Sequence, residues 1–338
     1  MKAVALYKYL PISDAESLLD VDLPKPAPQG RDLLVAVRAV AVNPVDTKVR
    51  KPKPQVEKQP RVLGWDAAGV VEAVGPQATL FKPGDEVFYA GDITRQGSNS
   101  EYQLVDERIV GCKPKNLGFA EAAALPLTAI TAWEGLFDRL RISHAGADRG
   151  KSLLIVGGAG GVGSIAIQIA RRVAGLKVVA TASRPETIAW CRDLGADVVV
   201  DHRGDLAANL KAQGIGAVDY ILCCNDTDQH FPALAEAIAP QGTICTIVEN
   251  ARPLPVELLK SKSAAFAWEF MFTRAMYQTP DMVEQHRLLD RVAALVEDGT
   301  LRTTLKGLVG TINAANLKRA HAELESGKAI GKLVLEGF

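Results

Sequence analysis

The stretch Ile155-Val156-Gly157-Gly158-Ala159-Gly160-Gly161-Val162-Gly163-Ser164 lies between two segments with different structural preferences. Residues 152–156 before it are apolar and β-prone, and residues 165–172 after it contain no helix breaker. The sequence therefore predicts a buried strand, a glycine-rich turn and a helix start in succession. Gly158, Gly160 and Gly163 fit the G-x-G-x-x-G spacing.

This spacing meets the requirements of a dinucleotide-binding turn. One glycine makes the tight turn, one lets the backbone approach a pyrophosphate, and one lets the helix pack closely on the strand. The free N–H groups at the helix start then face the anion. A glycine-rich turn without a ligand is the alternative. The predicted cofactor contacts in the turn are Gly158, Ala159, Gly160, Gly161, Val162 and Gly163.

Composition excludes several classes of protein. The 338 residues carry 39 basic and 39 acidic side chains, so no basic field exists to hold nucleic acid. The five cysteines form no C-x-x-C pair, which suits a reducing cytoplasm. Residues 1–7 become polar too soon for us to expect a signal peptide, and the longest apolar stretch, residues 119–137, is interrupted by charges and a proline. We expect a cytoplasmic protein without a membrane span.

Strand and helix patterns divide the chain in two. Residues 1–125 show short strands and frequent turn signals, which predict a partly open β-barrel. From residue 152, strands and helices alternate in the rhythm of a doubly wound parallel sheet, giving an α/β protein. The apolar run 264–272 adds a possible sixth strand. The other predicted strands of this sheet are 153–156, 177–181, 197–201, 219–224 and 243–248, and its helices are about 164–174, 185–194, 204–213 and 230–239.

The tail returns to the pattern of the first region. An amphipathic helix over 282–296 precedes strands at 308–312 and 332–335, with a helix over 314–326 between them. A β-rich lobe at both chain ends predicts a discontinuous first domain. We expect it to comprise residues 1–126 and 275–338, with the nucleotide-binding domain at 127–274.

The end of the second predicted strand indicates which dinucleotide is bound. An NAD site places a carboxylate near here to hold the ribose 2′-OH. The chain has Ser183 and Arg184 instead, and a hydroxyl with a guanidinium suits the 2′-phosphate of NADPH. The spacing of Ser183 and Glu186 predicts a capping box, which would turn Glu186 back to its own helix. A solvated Arg184 without a ligand is the alternative.

The sequence contains neither a zinc-ligand pattern nor a nucleophile motif. The five histidines share no i, i+3 or i, i+4 spacing, and the cysteines do not cluster, so no zinc site is predicted. No G-x-S-x-G nucleophile elbow is present. These absences favour chemistry carried by a cofactor.

A polar cluster follows the long strand 32–42, reading Asn43-Pro44-Val45-Asp46-Thr47-Lys48-Val49-Arg50. Polar groups after an apolar strand, with a proline fixing the turn, are typical of a site loop. A capped turn with Asp46 as the helix N-cap is the alternative. Asn225 and Thr246 follow two strands of the parallel sheet, where doubly wound folds place ligands, so both are predicted cofactor contacts.

Several ordered motifs together resemble the medium-chain dehydrogenase/reductase superfamily, and specifically its zinc-free quinone oxidoreductase and enone reductase branch, which includes proteins named zinc-type alcohol dehydrogenase-like. The resemblance covers the whole chain. Besides the glycine turn, the motifs are Val42-Asn43-Pro44-Val45-Asp46-Thr47-Lys48, Gly64-Trp65-Asp66-Ala67-Ala68-Gly69, Phe81-Lys82-Pro83-Gly84-Asp85, Leu125-Pro126-Leu127-Thr128 and Gly327-Lys328-Ala329-Ile330-Gly331-Lys332.

The resemblance implies a GroES-like barrel domain, a six-stranded Rossmann domain and a cleft between them that holds NADPH. It also implies a homodimer built through the edge of the Rossmann sheet. The run 264–272 is a candidate for that edge, because an unpaired apolar strand favours a partner. Simple core packing of this run is the alternative.

The resemblance also predicts that the protein binds no zinc. Asp46 lies near the first ligand position of the zinc alcohol dehydrogenases, Trp65 occupies the histidine position, and residues 125–128 offer no third ligand. The four-cysteine lobe is also absent. Without a Lewis acid, alcohol oxidation has no means of lowering the pKa of the alcohol.

The resemblance assigns roles in the reduction of a quinone or an α,β-unsaturated carbonyl. Lys48 would donate a hydrogen bond or proton to the carbonyl oxygen, and Asn43 would orient the carbonyl or the nicotinamide. Thr128 would bond the nicotinamide carboxamide, and Lys332 is a further cofactor contact. A zinc-dependent alcohol dehydrogenase and a non-catalytic NADPH-binding protein remain the alternatives.

Overall fold

The computed structural model describes all 338 residues, which divide into two compact units. One unit contains residues 1–130 and 272–338, and the other contains residues 131–271. Both ends of the chain thus build the first unit. None of the helices combines the length and the apolar character needed to cross a bilayer.

The amino-terminal region is dominated by antiparallel strands. The long central strand β3 pairs with β5 and β7, whereas β1 lies between β2 and β4 in a separate three-stranded sheet. Strand β4 contains Pro54 and Pro60 and was not predicted; it is an edge strand, where a missing N–H breaks no ladder bond. The elements are β1 (Lys2–Tyr9), β2 (Leu19–Asp22), β3 (Asp32–Val42), α1 (Pro44–Arg50), β4 (Lys53–Val62), β5 (Ala67–Val74), β6 (Glu86–Tyr89), β7 (Tyr102–Asp106), β8 (Val110–Cys112), α2 (Phe119–Ala123) and α3 (Pro126–Trp133).

The second unit is the predicted doubly wound sheet. Its six strands are all parallel and lie in the order β11-β10-β9-β12-β13-β14. The sixth strand within 264–272 is confirmed as the edge strand β14. The elements are β9 (Ser152–Val156), α4 (Gly161–Gln168), β10 (Lys177–Thr181), α5 (Pro185–Leu194), β11 (Val198–Val200), α6 (Leu206–Ala212), β12 (Val218–Cys223), α7 (Thr227–Ala237), β13 (Ile238–Thr246) and β14 (Ala265–Trp268).

The carboxyl-terminal region completes the first unit. Strand β16 pairs antiparallel with β3, so the last strand of the chain joins a seven-stranded sheet in the order β15-β16-β3-β5-β6-β8, with β7 also on β3. The elements are α8 (Thr273–Tyr277), α9 (Glu284–Glu297), β15 (Leu305–Gly310), α10 (Ala314–Glu325) and β16 (Lys332–Glu336).

Two buried acidic side chains, Glu134 and Glu269, lie together at the end of strand β14. A π-helical segment, Glu134–Arg139, continues α3, and its Glu134 lies beside Glu269, the residue that follows β14. Arg139 Nε donates to Glu269 Oε2 at 2.8 Å. Burial, followed by the charge of Glu134, raises the pKa of Glu269 to about 9. The buried pair of Glu134 and Glu269 therefore retains a proton in the folded protein at neutral pH.

This shift predicts how stability depends on pH. Between the ordinary value of 4.5 and about 9 the folded protein binds more protons at Glu269 than the unfolded chain does, so the free energy of unfolding falls as pH rises through that window. The slope from one such group is at most about 1.4 kcal/mol per pH unit. Glu269→Gln should flatten the slope when urea unfolding is measured at pH 6, 7.5 and 9. Glu236→Gln, on the surface of α7, is the matched control, and equal slopes for wild type and Glu269→Gln would contradict the assignment.

Candidate functional site

Close packing explains two of the turn glycines. A Cβ on Gly163 would lie 2.3 Å from the carbonyl oxygen of Gly157, and one on Gly158 would lie 2.9 Å from Ala180 Cβ. Gly157 has a φ of +81°, which favours glycine. A Cβ on Gly160, by contrast, would meet nothing nearer than Gly157 O at 3.5 Å. Because packing does not require a glycine at Gly160, the open space above it fits the approach of a ligand.

Strand ends of the sheet surround this turn. Gly157 N donates to Thr181 Oγ1 and Gly158 N donates to Thr181 O, both at 3.0 Å. A Cβ on Gly157 would lie 3.3 Å from Asn225 Cβ, so the structure brings the predicted contact Asn225 to the turn. Sequence reasoning missed Thr181, although its place as the last residue of β10 is a usable signal.

Thr246 is the last residue of β13. It is fully buried, and its Oγ1 is 2.6 Å from Thr227 Oγ1. Thr227 donates its own proton to Val248 O, so Thr246 is the donor between the two hydroxyls. Thr246 thus ties β13 to α7, and its contact with a cofactor stays a prediction.

The start of α5 differs from the predicted capping box. Pro185 is the first helical residue, so Arg184 is the N-cap and Thr187, not Glu186, is the third helical residue. Thr187 Oγ1 accepts from Arg184 N at 3.1 Å. The capping box of Ser183 and Glu186 was therefore wrong, because a proline at the first helical position moves the helix start by one residue. Glu186 instead pairs with Arg184 Nε at 2.9 Å on the surface.

A buried ionic cluster organises the end of β3. Lys332 Nζ donates to Asp66 Oδ2 at 2.9 Å, to Val42 O at 3.0 Å and to Asn43 Oδ1. Asn43 Nδ2 donates to Asp66 Oδ2 at 2.9 Å and to Trp65 O at 3.2 Å. The side chains of Lys332, Asp66 and Asn43 are almost completely buried. Asn43 and Lys332, predicted to touch substrate or cofactor, thus direct their polar atoms into the protein.

Asp46 extends this cluster into α1. Helix α1 has Asn43 as its N-cap, and Asp46 Oδ2 accepts from Asn43 N at 2.5 Å, so the alternative with Asp46 as N-cap is wrong. Asp46 is 1% exposed, and its Oδ1 has no partner. Burial raises its pKa to about 7, although the Asn43 N–H and the charge of Lys332 act in the opposite direction.

Two further predicted residues, Lys48 and Thr128, lie on helices α1 and α3, whose first residues contact the ionic cluster. Lys48 is exposed on α1, about 200° around the helix from Asp46. Thr128 lies in the first turn of α3 and is buried, and its Oγ1 donates to Leu125 O at 3.1 Å. Asp66 Oδ1 accepts from Leu127 N at 2.8 Å, which links the start of α3 to the ionic cluster.

Comparisons with known proteins agree with this architecture. Residues 29–134 match the alcohol dehydrogenase GroES-like domain, and residues 194–335 match a zinc-binding dehydrogenase domain. The chain is 47% identical over 336 residues, 99% of both proteins, to the zinc-type alcohol dehydrogenase-like protein of Staphylococcus aureus strain MSSA476. It is 56% identical to a crystal structure from Rhizobium etli CFN 42 that carries the provisional name zinc-dependent alcohol dehydrogenase, with a TM-score of 0.95 over 100% of this chain and 98% of that one. The NADPH-dependent alkenal/one oxidoreductase of Arabidopsis chloroplasts is 38% identical over 232 residues, which are 64% of this chain and 58% of that protein.

The chain belongs to the medium-chain dehydrogenase/reductase superfamily. It is an oxidoreductase with an NAD(P)-binding fold. The predicted pairing of a GroES-like domain with a Rossmann-type parallel sheet is confirmed.

The names of the Staphylococcus and Rhizobium relatives refer to zinc, but the donor set of this chain does not fit the ion. The polar interior beside α1 contains two carboxylates, an amide and an ammonium, without histidine or cysteine. Zinc sites in proteins use three or four ligands drawn from thiolates, imidazoles and carboxylates. No group of three or more His, Cys, Asp or Glu side chains in the chain is arranged to hold a metal ion.

Two glycine substitutions separate packing from ligand approach. Gly163→Ala forces a Cβ against backbone atoms, and we expect it to lower the free energy of unfolding by about 1–3 kcal/mol. Gly160→Ala should leave the melting temperature near that of the wild type but weaken dinucleotide binding at least tenfold, because the new methyl group occupies the path of the pyrophosphate. Thermal unfolding and fluorescence titration measure the two effects. Unchanged binding in a folded Gly160→Ala variant would contradict a pyrophosphate at this turn.

Proposed function

We propose that the protein is an NADPH-dependent reductase that transfers a hydride to a quinone or an α,β-unsaturated carbonyl without zinc. The observation that carries this proposal is the buried ion pair of Lys332 with Asp66. A fixed cation of the chain itself occupies the polar interior beside α1, and no zinc ligand set accompanies it. Reduction of an activated double bond needs no metal to acidify an alcohol.

Two guanidinium groups support NADPH over NADH. Strand β10 ends at Thr181, and Arg184 follows three residues later. Strand β11 ends at Val200, and Arg203 follows three residues later. Thr181 and Val200 are paired in the parallel sheet, so both arginines follow strand ends at the same edge. The surface ion pair of Arg184 with Glu186 is a weak competitor for a 2′-phosphate, because exposed ion pairs contribute little.

Lys48 is the proposed catalytic residue. When bound, NADPH supplies the hydride, and negative charge then develops on the carbonyl oxygen of the substrate. The Lys48 ammonium donates a hydrogen bond to that oxygen and stabilises the charge. Asn43 has its amide protons directed to Asp66 and Trp65, so we assign it the positioning of α1 rather than contact with substrate. For Lys332 we propose the same positioning role.

A homodimer is the proposed assembly, with no nucleic acid or membrane as partner. Strand β14 is an outer strand of the parallel sheet; its last residue, Trp268, is 45% exposed, and Phe270, which follows the strand, is 43% exposed. An exposed apolar strand edge favours pairing with a second copy. The edge interpretation of residues 264–272 is therefore the one we propose over simple core packing.

The proposed chemistry is tested by removing the Lys48 ammonium. Lys48→Met should lower kcat for an enone by about 100-fold, because loss of one hydrogen-bond donor to the developing negative charge costs about 10²–10³-fold. The dissociation constant for NADPH should change less than twofold. Lys51→Met, an exposed lysine just beyond α1, is the matched control.

The assay follows NADPH oxidation by protein treated with a chelator, against quinones, enones, alkenals and simple aldehydes. We expect turnover of the activated alkenes or quinones and no loss on chelation. Stoichiometric zinc whose removal abolishes activity would support a zinc alcohol dehydrogenase instead. Tight NADPH binding with no turnover of any class would support a non-catalytic binding protein.

Cofactor selectivity is tested at Arg184. Arg184→Ala should raise KM for NADPH about 10- to 100-fold and leave KM for NADH near the wild-type value, because it removes charge-assisted hydrogen bonds to the 2′-phosphate. Glu186→Gln removes the competitor and should leave NADPH affinity equal or stronger. An equal effect of Arg184→Ala on both cofactors would remove Arg184 from 2′-phosphate recognition.

A further inference from the structure

The carboxyl-terminal end of α1 is held by a buried guanidinium. Arg50 is 1% exposed and directs three nitrogens into the first unit. Its Nη1 donates to Leu10 O, its Nη2 to Glu325 and its Nε to His321 Nδ1 at 3.3 Å. Because His321 and Glu325 are four residues apart on α10, they lie on the same face of that helix. Arg50 thus joins α1 to α10 and to the loop after β1.

His321 has one protonation state in this arrangement. Burial, followed by the charge of Arg50, lowers the pKa of His321 to about 3, so the ring is neutral. Since Arg50 Nε donates to Nδ1, the ring proton lies on Nε2. That nitrogen is buried without a partner. A pair of apolar side chains would join the two helices without leaving a buried N–H unpaired. Stability alone is therefore a poor explanation for this contact, whereas a fixed direction for Arg50 explains it.

Helix α1 is short enough to need such a support. It has seven residues, or about two turns, and helices of this length have little stability of their own. Asp46 and Arg50 are four residues apart and form its buried face, one end tied to Asn43 and the other to α10. Lys48 lies between them in sequence and on the opposite side.

We propose that Arg50 is a positioning residue, which fixes the rotation of α1 through its contacts with His321 and Glu325 and thereby places the Lys48 ammonium; this role presupposes the proposed chemistry of Lys48. A side-chain tip lies roughly 6 Å from a helix axis, so a rotation of about 20° moves it by about 2 Å. A displacement of about 1 Å in a reacting group is enough to reduce a rate about 100-fold.

The test is a double-mutant cycle between Arg50 and Lys48. Arg50→Lys keeps a positive charge but loses the planar fork that reaches three acceptors. We expect it to lower kcat for an enone about 10- to 100-fold, with the dissociation constant for NADPH changed less than twofold. In the Lys48→Met background, Arg50→Lys should lower kcat less than twofold further, because no ammonium remains to be placed.

His321 supplies the conservative rescue. His321→Gln retains an uncharged acceptor for Arg50 Nε and should keep kcat within about threefold of the wild type, whereas His321→Leu should lower it as Arg50→Lys does. Should Arg50→Lys fail to fold, Glu325→Gln, which keeps an acceptor but loses its charge, takes its place in the cycle. Thermal unfolding of every variant separates loss of placement from loss of structure.

The outcomes separate this role from the proposed function. Wild-type turnover in Lys48→Met would overturn the chemistry assigned to Lys48. An impaired Lys48→Met with full activity in Arg50→Lys, or with independent multiplicative effects of the two substitutions, would overturn the positioning role and leave the chemistry standing. Equal loss in His321→Gln and His321→Leu would also overturn it.

Discussion

The ion pair between Lys332 and Asp66 is the constraint on which the first unit depends. It joins β16, near the carboxyl terminus, to the segment before β5, and through Asn43 it reaches the junction of β3 with α1. Asp66 Oδ1 also holds the start of α3 through Leu127 N. A buried carboxylate is tolerated only when its charge and lone pairs are satisfied, and here Lys332, Asn43 and Leu127 N share that task. Removal of one partner would leave an uncompensated charge, at a cost of about 3–5 kcal/mol.

This cluster also explains the electrostatics around α1. Desolvation raises the pKa values of both Asp46 and Asp66. The positive charge of Lys332, near the amino-terminal end of α1, acts on both in the opposite direction. Apart from Asp46 Oδ1, which has no partner, the side chains of the cluster bond to one another or to the backbone and thereby support the helix. In the function proposed above, Lys48 acts at the exposed face of α1, and a bound cofactor supplies the redox chemistry.

How much the sequence predicts depends on how far apart the interacting residues are. The glycine turn, the parallel strands and the edge strand β14 follow from local patterns, and the structure confirms these elements. The capping box at Ser183 failed because Pro185 outweighs the Ser-x-x-Glu pattern in setting the helix start. The site side chains are harder to predict. Nothing near Asn43 indicates that its amide is bound by Asp66 and Lys332, and Arg50 meets His321 across 271 residues of sequence.

The most direct measurement is the position of deuterium in the product formed from NADPH deuterated at the reactive C4 position, with an enone as substrate and chelator-treated protein as catalyst. Hydride transfer to an activated alkene predicts deuterium on the β-carbon of a saturated ketone. Deuterium on the carbonyl carbon of an allylic alcohol, formed only after zinc is restored, would contradict the account.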